Sequence, residues 1–200
     1  MTRTRTLRTS LLGTVIASGI ALGVTACSTP GLAPALGSAT AGAPAVMTVG
    51  DVTPGGTTVL ALTSLDDAVF FLGLEGDGTS VRSVATFRGS DPDENWERVD
   101  AVGSPDPDAV TVTGAGYWPD AATEPLSTIH GQVGSAVVAV DVVAQDGEIV
   151  AADVGDGRYV AAWRGADLSY EERPADAVTL VAHLEDGSTT RAPYLELTAG

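Results

Sequence analysis

Short apolar runs separated by polar turn signals fill the chain from residue 57 onward. The runs are rich in Val and Thr, whose β-branched side chains favour pleated strands over helices. No long stretch combines a helical period with helix caps. The pattern therefore predicts nine short strands, at 57–63, 68–74, 80–87, 109–113, 136–143, 148–154, 158–163, 177–184 and 189–197.

Alternation within two of these runs predicts which side chains face a core. In a strand, successive side chains point to opposite faces. The run 177–184 then has one apolar face, made of Val178, Leu180, Ala182 and Leu184. In 158–163, Tyr159, Ala161 and Trp163 share one face, opposite Val160 and Ala162. We expect Trp163 to be a core residue, with Tyr159 at the core margin and its hydroxyl reaching water or backbone.

Four Asp-Gly dipeptides lie between the apolar runs, and Asp-Gly is favoured where a hairpin turn needs a positive φ. They are Asp77-Gly78, Asp146-Gly147, Asp156-Gly157 and Asp186-Gly187. The third dipeptide predicts that 148–154 and 158–163 form a hairpin.

Short strands with turn signals between them predict an all-β domain over residues 51–200. We expect an antiparallel β-sandwich of immunoglobulin-like type. The segments 89–108 and 114–127 have a loop-like composition. Two small β units with a boundary near 115–127 therefore remain an alternative.

The first 27 residues have a different pattern. Arg3, Arg5 and Arg8 precede 14 mostly apolar residues, 11–24, a length that suits a signal peptide but is too short to span a bilayer. The segment ends in Val24, Thr25, Ala26 and Cys27, which resembles the lipobox of bacterial lipoproteins. The alternative is an ordinary secretory signal in which Cys27 is incidental.

The resemblance to lipoproteins implies cleavage before Cys27 and attachment of lipid to its thiol, with acylation (for example by palmitate) of the new amino terminus. Stable anchoring by two or more acyl chains would place the protein on the extracytoplasmic face of the cell membrane. Residues 1–26 would then be a cleaved signal peptide. Residues 27–50, rich in Ala, Gly and Pro, would be a flexible tether with a reach of about 25 Å.

Charge excludes one class of partner. The chain has a net charge of −16, and loss of the three arginines in residues 1–26 would bring it to −19. Polyanions would be repelled, so we expect no nucleic-acid binding, and membrane contact only through the lipid on Cys27. Since Cys27 is the only cysteine, the domain must fold on its hydrophobic core.

A second resemblance covers residues 131–165. The sequence Gly157-Arg158-Tyr159-Val160-Ala161-Ala162-Trp163-Arg164-Gly165 is similar to the end of a small β module of exported bacterial proteins, where a Gly-x-aromatic-x-Ala-Trp-Trp-Pro-Gly type motif closes a strand pair. Ala162 replaces the first Trp and Arg164 replaces the Pro. The resemblance supports a β fold and implies no activity.

Candidate catalytic and metal-binding patterns are weak. The two histidines, His130 and His183, lack a second ligand at metal-binding spacing, and no Gly-x-Ser-x-Gly sequence supports a nucleophile. We expect His183 to be exposed or hydrogen-bonded. The sequence therefore predicts no catalytic residues, no metal site and no cofactor. A looser calcium site formed by Asp91, Asp93, Asp106 and Asp108 remains an alternative.

Together these patterns predict a lipid-anchored extracytoplasmic β domain. We expect it to be a non-catalytic binding or structural module, with an envelope protein or a glycan as its partner. The alternatives are a cation-responsive, calcium-binding module and an enzyme of unrecognised type, which a pocket holding a buried carboxylate or histidine would support.

Overall fold

The computed structural model describes residues 47–87, 96–99, 103–119, 124–169 and 178–198, all within one compact unit of residues 39–200. The described residues contain no helix that is both long and apolar enough to cross a membrane. Their one helical element is a 3-10 turn at Tyr194–Glu196. The strands are β1 (Thr58–Leu65), β2 (Ala68–Leu74), β3 (Val81–Phe87), β4 (Trp96–Val99), β5 (Val110–Trp118), β6 (Leu126–Val133), β7 (Val137–Val143), β8 (Ile149–Ala151), β9 (Asp153–Gly155), β10 (Arg158–Arg164), β11 (Thr179–Leu184) and β12 (Thr189–Pro193).

The strands form three four-stranded sheets in which every pairing is antiparallel. Sheet A has the order β1-β2-β3-β4, sheet B the order β5-β6-β10-β9, and sheet C the order β12-β11-β7-β8. The predicted all-β, antiparallel architecture is confirmed. The immunoglobulin-like arrangement is not confirmed, because the chain forms three sheets and the first is a meander of consecutive strands.

Sheet B lies between the other two sheets, as the burial of β10 makes clear. Tyr159, Ala161 and Trp163 pack into the larger core, together with residues of sheet C. Val160 and Ala162 pack on the opposite side, with residues of sheet A. A strand covered on both faces needs a continuous apolar run rather than an alternating one. The sequence of β10 meets that need with small and aromatic side chains.

The predicted faces of 177–184 and 158–163 are confirmed. Val178, Leu180 and Ala182 are buried, and Trp163 is a core residue with 3% of its surface exposed. The position predicted for Tyr159 is wrong, because its side chain is completely buried and its hydroxyl has no hydrogen-bond partner within the described ranges. Sheet C covers this face of β10, and periodicity within a single strand could not reveal that cover.

The run 148–154 divides between two sheets. β8 pairs with β7 in sheet C, whereas β9 pairs with β10 in sheet B. The hairpin predicted around Asp156-Gly157 is therefore confirmed for β9 only. The turn itself has positive φ at both residues, 47° and 70°, as a two-residue turn of type I′ requires. The glycines of the other three Asp-Gly dipeptides also have positive φ.

The loop predicted from residue 114 is wrong over 114–118, which continue β5 as far as Trp118. Residues 126 and 127 likewise belong to β6. Gly114 and Gly116 gave the segment its loop-like composition. Within β5, these two glycines lie against the side chains of His130 and Thr128 of β6.

Candidate functional site

A cleft of about 380 Å³ opens between sheets A and B. Ligand-binding clefts typically have volumes of about 300–1,000 Å³. The walls come from β2, β3 and β4 on one side and from β5 and β6 on the other. The residues that line the cleft are Phe70, Ser83, Ala85, Trp96, Glu97, Ala115, Gly116, Tyr117, Trp118, Thr128 and His130.

Two glycines of β5 keep the cleft open. A Cβ atom at Gly114 would lie 2.5 Å from Nε2 of His130, and one at Gly116 would lie 2.7 Å from Oγ1 of Thr128. Both distances are shorter than real Cβ contacts. Positions 114 and 116 are two apart in a strand, so they share a face. The absence of two side chains on that face creates the floor of the cleft.

A β-bulge positions the histidine. The register of β5 against β6 shifts between Val112 and Gly114, which leaves Thr113 as the extra residue. Bulges redirect side chains and are common beside functional sites. Here the hydroxyl of Thr113 lies 3.2 Å from Nδ1 of His130. The contact fixes one imidazole nitrogen and leaves Nε2 directed at the cleft.

Glu97 of the edge strand β4 approaches His130 from sheet A. Its Oε1 atom lies 3.5 Å from Nε2 of His130. The histidine side chain is 5% exposed and the glutamate side chain is 68% exposed. Hydrogen bonding with His130 is the main cause of a lowered pKa at Glu97, and partial desolvation opposes it. Glu97 therefore presents a carboxylate, rather than a carboxylic acid, to the cleft at neutral pH.

Trp118 contributes an unused hydrogen-bond donor. Its indole ring packs against Phe87 at a centroid distance of 5.2 Å and against Phe70 at 6.5 Å. Its Nε1 atom is buried and has no hydrogen-bond partner among the described residues. That atom would lie 3.3 Å from a Cβ at Gly116, near Oγ1 of Thr128. An N–H donor and a hydroxyl thus converge over the second glycine.

Trp96 borders the cleft, but its indole belongs to the other face of sheet A. The register pairs Trp96 with Val84 and Glu97 with Ser83, so the two neighbours point in opposite directions. The guanidinium of Arg82 lies 5.7 Å from the ring centroid of Trp96. Glu97, and not Trp96, is the side chain that β4 directs toward sheet B.

The second predicted histidine has a different environment. Nε2 of His183 lies 2.8 Å from Oδ2 of Asp141 on the neighbouring strand β7, and the histidine side chain is 40% exposed. The prediction that His183 is exposed or hydrogen-bonded is confirmed. This pair lies on sheet C, away from the cleft residues.

Most of the other predicted site residues lie outside the part of the chain that the structure describes. Val24, Thr25, Ala26 and Cys27 lie outside the described residues, as do Asp91 and Asp93 of the alternative calcium site. Asp106 and Asp108 are exposed. Within the described part of the chain, no group of three or more His, Cys, Asp or Glu side chains could hold a metal ion.

Comparison with protein families, curated proteins and solved structures finds no match for this chain. Functional inference therefore depends on the cleft itself.

Sequence reasoning missed the cleft. Its polar groups come from β4, β5 and β6, which are distant in sequence and meet only because sheet A packs on sheet B. One local signal was present. Gly114, Gly116 and Trp118 alternate along the sequence. If all three lie on one strand, they share a face, and the two glycines leave space on that face beside the aromatic ring.

Proposed function

We propose that this protein is a lipid-anchored binding module on the extracytoplasmic face of the cell membrane, and that the cleft between sheets A and B holds a small polar ligand. The lipid on Cys27 would retain the protein at the membrane. Sheets B and C would form the sandwich-type body, and sheet A would supply the second wall of the site.

One observation carries the proposal. Nε1 of Trp118, a buried donor with no hydrogen-bond partner among the described residues, lies with Oγ1 of Thr128 beside Gly116 at the floor of the cleft. An unsatisfied buried polar group costs about 1–3 kcal/mol. A ligand that accepts the indole hydrogen would remove this cost. A cleft formed only by imperfect packing offers no such gain.

The proposal can be tested by screening the full chain, purified in detergent, for small molecules that raise its unfolding temperature. The screen should include neutral polyols, organic cations, carboxylates and apolar compounds. Gly116→Val fills the floor of the cleft, whereas Gly103→Val changes a glycine with no atom within 4 Å of its Cβ position. We expect stabilising compounds to lose their effect in the first variant and retain it in the second. Equal effects in both variants would contradict the proposal.

A hydrolytic or acid–base enzyme is the second candidate. The observation in its favour is the pair Glu97 and His130, because a buried imidazole beside a carboxylate is a common general acid–base arrangement. The two candidates differ in turnover. If a ligand bound in the cleft is chemically unchanged after prolonged incubation, the result supports the binding module. Conversion that is lost in His130→Gln would establish the enzyme.

A further inference from the structure

We propose that the ligand of the cleft is a neutral polyhydroxylated ring, such as one sugar unit of a glycan. This inference rests on the proposed binding function and specifies its chemistry. Three groups around the cleft set the requirements: the carboxylate of Glu97, the indole N–H of Trp118 and the hydroxyl of Thr128.

Glu97 disfavours an anionic ligand. Its lowered pKa keeps the side chain charged at neutral pH, and the chain as a whole has a net charge of −16. Like charges brought together in a partly desolvated cleft repel each other. Phosphates and carboxylated sugars are therefore poor ligands. A ligand that donates hydrogen bonds to the carboxylate is favoured.

Trp118 disfavours an organic cation. An ammonium group can donate to Glu97, but it has no lone pair to accept the indole hydrogen. Binding such a ligand would leave Nε1 of Trp118 buried without a partner. The ligand must therefore carry acceptors as well as donors, and a hydroxyl group supplies both.

The spacing along β5 fits a ring with hydroxyls on both sides. Glu97 and His130 lie beside Gly114, whereas Thr128 and Trp118 lie beside Gly116. Positions two apart in a strand are separated by about 6.8 Å. A six-membered sugar ring with its hydroxyl groups spans a similar length. Such a ring could donate to the carboxylate at one end and accept from the indole at the other.

The test uses neutral methyl glycosides of several hexoses as probes, with butylammonium, acetate and toluene as representatives of the other classes. Calorimetric titration of the full chain in detergent measures each affinity. We expect saturable binding of at least one methyl glycoside and no comparable binding of the other three compounds. Trp118→Phe keeps the aromatic ring but removes the N–H, so it should weaken glycoside binding about five- to tenfold.

Two further variants provide a second test of the site and a control for folding. Thr128→Val removes a hydroxyl at constant shape and should also weaken glycoside binding. Trp163→Phe makes the same chemical change as Trp118→Phe on the sheet C side of sheet B, so it should leave the affinity unchanged below its melting temperature. Equal affinities in the parent chain and Trp118→Phe would overturn the sugar assignment.

The outcomes separate this inference from the proposed function. If butylammonium or acetate binds and Gly116→Val abolishes its binding, the cleft is a binding site but the sugar assignment is wrong. If Gly116→Val abolishes the binding of none of the probes, or if none of them binds, both proposals are wrong. Competition between a free methyl glycoside and an insoluble neutral polysaccharide distinguishes a soluble sugar from an envelope glycan as the source of the ring.

Discussion

Oε1 of Glu97, on the edge strand of sheet A, lies 3.5 Å from Nε2 of His130, near the centre of sheet B. This contact crosses the cleft and joins sheets A and B. The ion pair of Asp67 with Arg164 is a further polar contact between these two parts of the structure. The contact depends on a missing side chain, because a Cβ at Gly114 would lie 2.5 Å from Nε2 of His130. The same glycine therefore opens the cleft and permits the contact between the carboxylate of Glu97 and the imidazole of His130.

The pairing predicts a dependence of stability on pH. The pKa of Glu97 is lowered from its ordinary value of 4.5, mainly by hydrogen bonding with His130. A carboxyl group whose pKa is depressed in the folded state stabilises that state above the unfolded pKa, and the contribution is lost as the pH falls through the folded pKa. We expect Glu97→Gln to be less stable than the parent above pH 4.5, with a difference that shrinks on further acidification.

Thermal unfolding of both proteins across the acidic range measures this difference. The pKa values of Asp77 and Asp186 are also lowered, through hydrogen bonds in their turns. Because these groups are present in both proteins, their contributions cancel in the comparison. A difference that stays constant down to the lowest pH would show that Glu97 gains nothing from His130.

Trp163 should be essential for stability. Its side chain is 3% exposed, and its Nε1 donates a hydrogen bond to Oδ2 of Asp167 at 2.8 Å. Removal of a buried tryptophan side chain costs about 3–5 kcal/mol, a large share of the free energy of unfolding of a typical domain. We expect urea unfolding to give a loss of that size for Trp163→Ala. Surface substitutions usually change the free energy of unfolding by less than about 0.5 kcal/mol. A loss below about 1 kcal/mol for Trp163→Ala would therefore contradict the core assignment.

Tyr159→Phe should stabilise the protein. The hydroxyl of Tyr159 is buried and has no hydrogen-bond partner in the part of the chain that the structure describes, and burial strongly raises its pKa. Removing an unsatisfied buried polar group recovers part of its desolvation cost, so we expect a gain of about 1 kcal/mol. Tyr117→Phe changes a half-buried tyrosine and should alter stability little. A loss of stability in Tyr159→Phe, measured by urea unfolding, would mean that its hydroxyl has a partner.

The sequence predicted the strands that have strong β-branched runs and missed those that do not. β6 contains Ser127, Thr128, His130, Gly131 and Gln132, yet every residue of this strand is buried. Its burial comes from sheet A on one face and sheet C on the other, so no pattern within the strand predicts it. The last predicted strand, 189–197, ends early at Pro193 because the 3-10 turn follows.

The candidate site was predictable only in fragments. His130 and Glu97 are 33 positions apart in the sequence, and nothing local links them. The segment 114–127 was predicted to be loop-like, and it begins with Gly114 and Gly116, a residue type that is depleted in strands. The two glycines instead leave space between β5 and the facing sheet A, where the cleft opens. This space exists only because sheet A packs on sheet B, and no pattern within β5 predicts that packing.

Membrane retention should depend on Cys27. The acidic chain, with a net charge of −16, has no electrostatic attraction to anionic headgroups. We therefore expect Cys27→Ala to move from the membrane fraction to the soluble fraction of the cell envelope. Ser28→Ala, which changes the neighbour of Cys27 and keeps the thiol, should remain at the membrane. Retention of Cys27→Ala equal to that of the parent would contradict the lipid anchor.

The indole N–H resonances of the three tryptophans test the central claim, that the cleft between sheets A and B is a ligand site, most directly. Nitrogen–proton correlation spectra of the full chain in detergent, assigned with single Trp→Phe variants, would be recorded during titration with the neutral methyl glycosides. We predict that the Trp118 resonance shifts with saturation, because its Nε1 gains an acceptor. The Trp163 resonance should stay fixed, because its Nε1 is already bonded to Asp167. A stationary Trp118 resonance while another indole responds to the glycoside would place the ligand elsewhere and contradict the account.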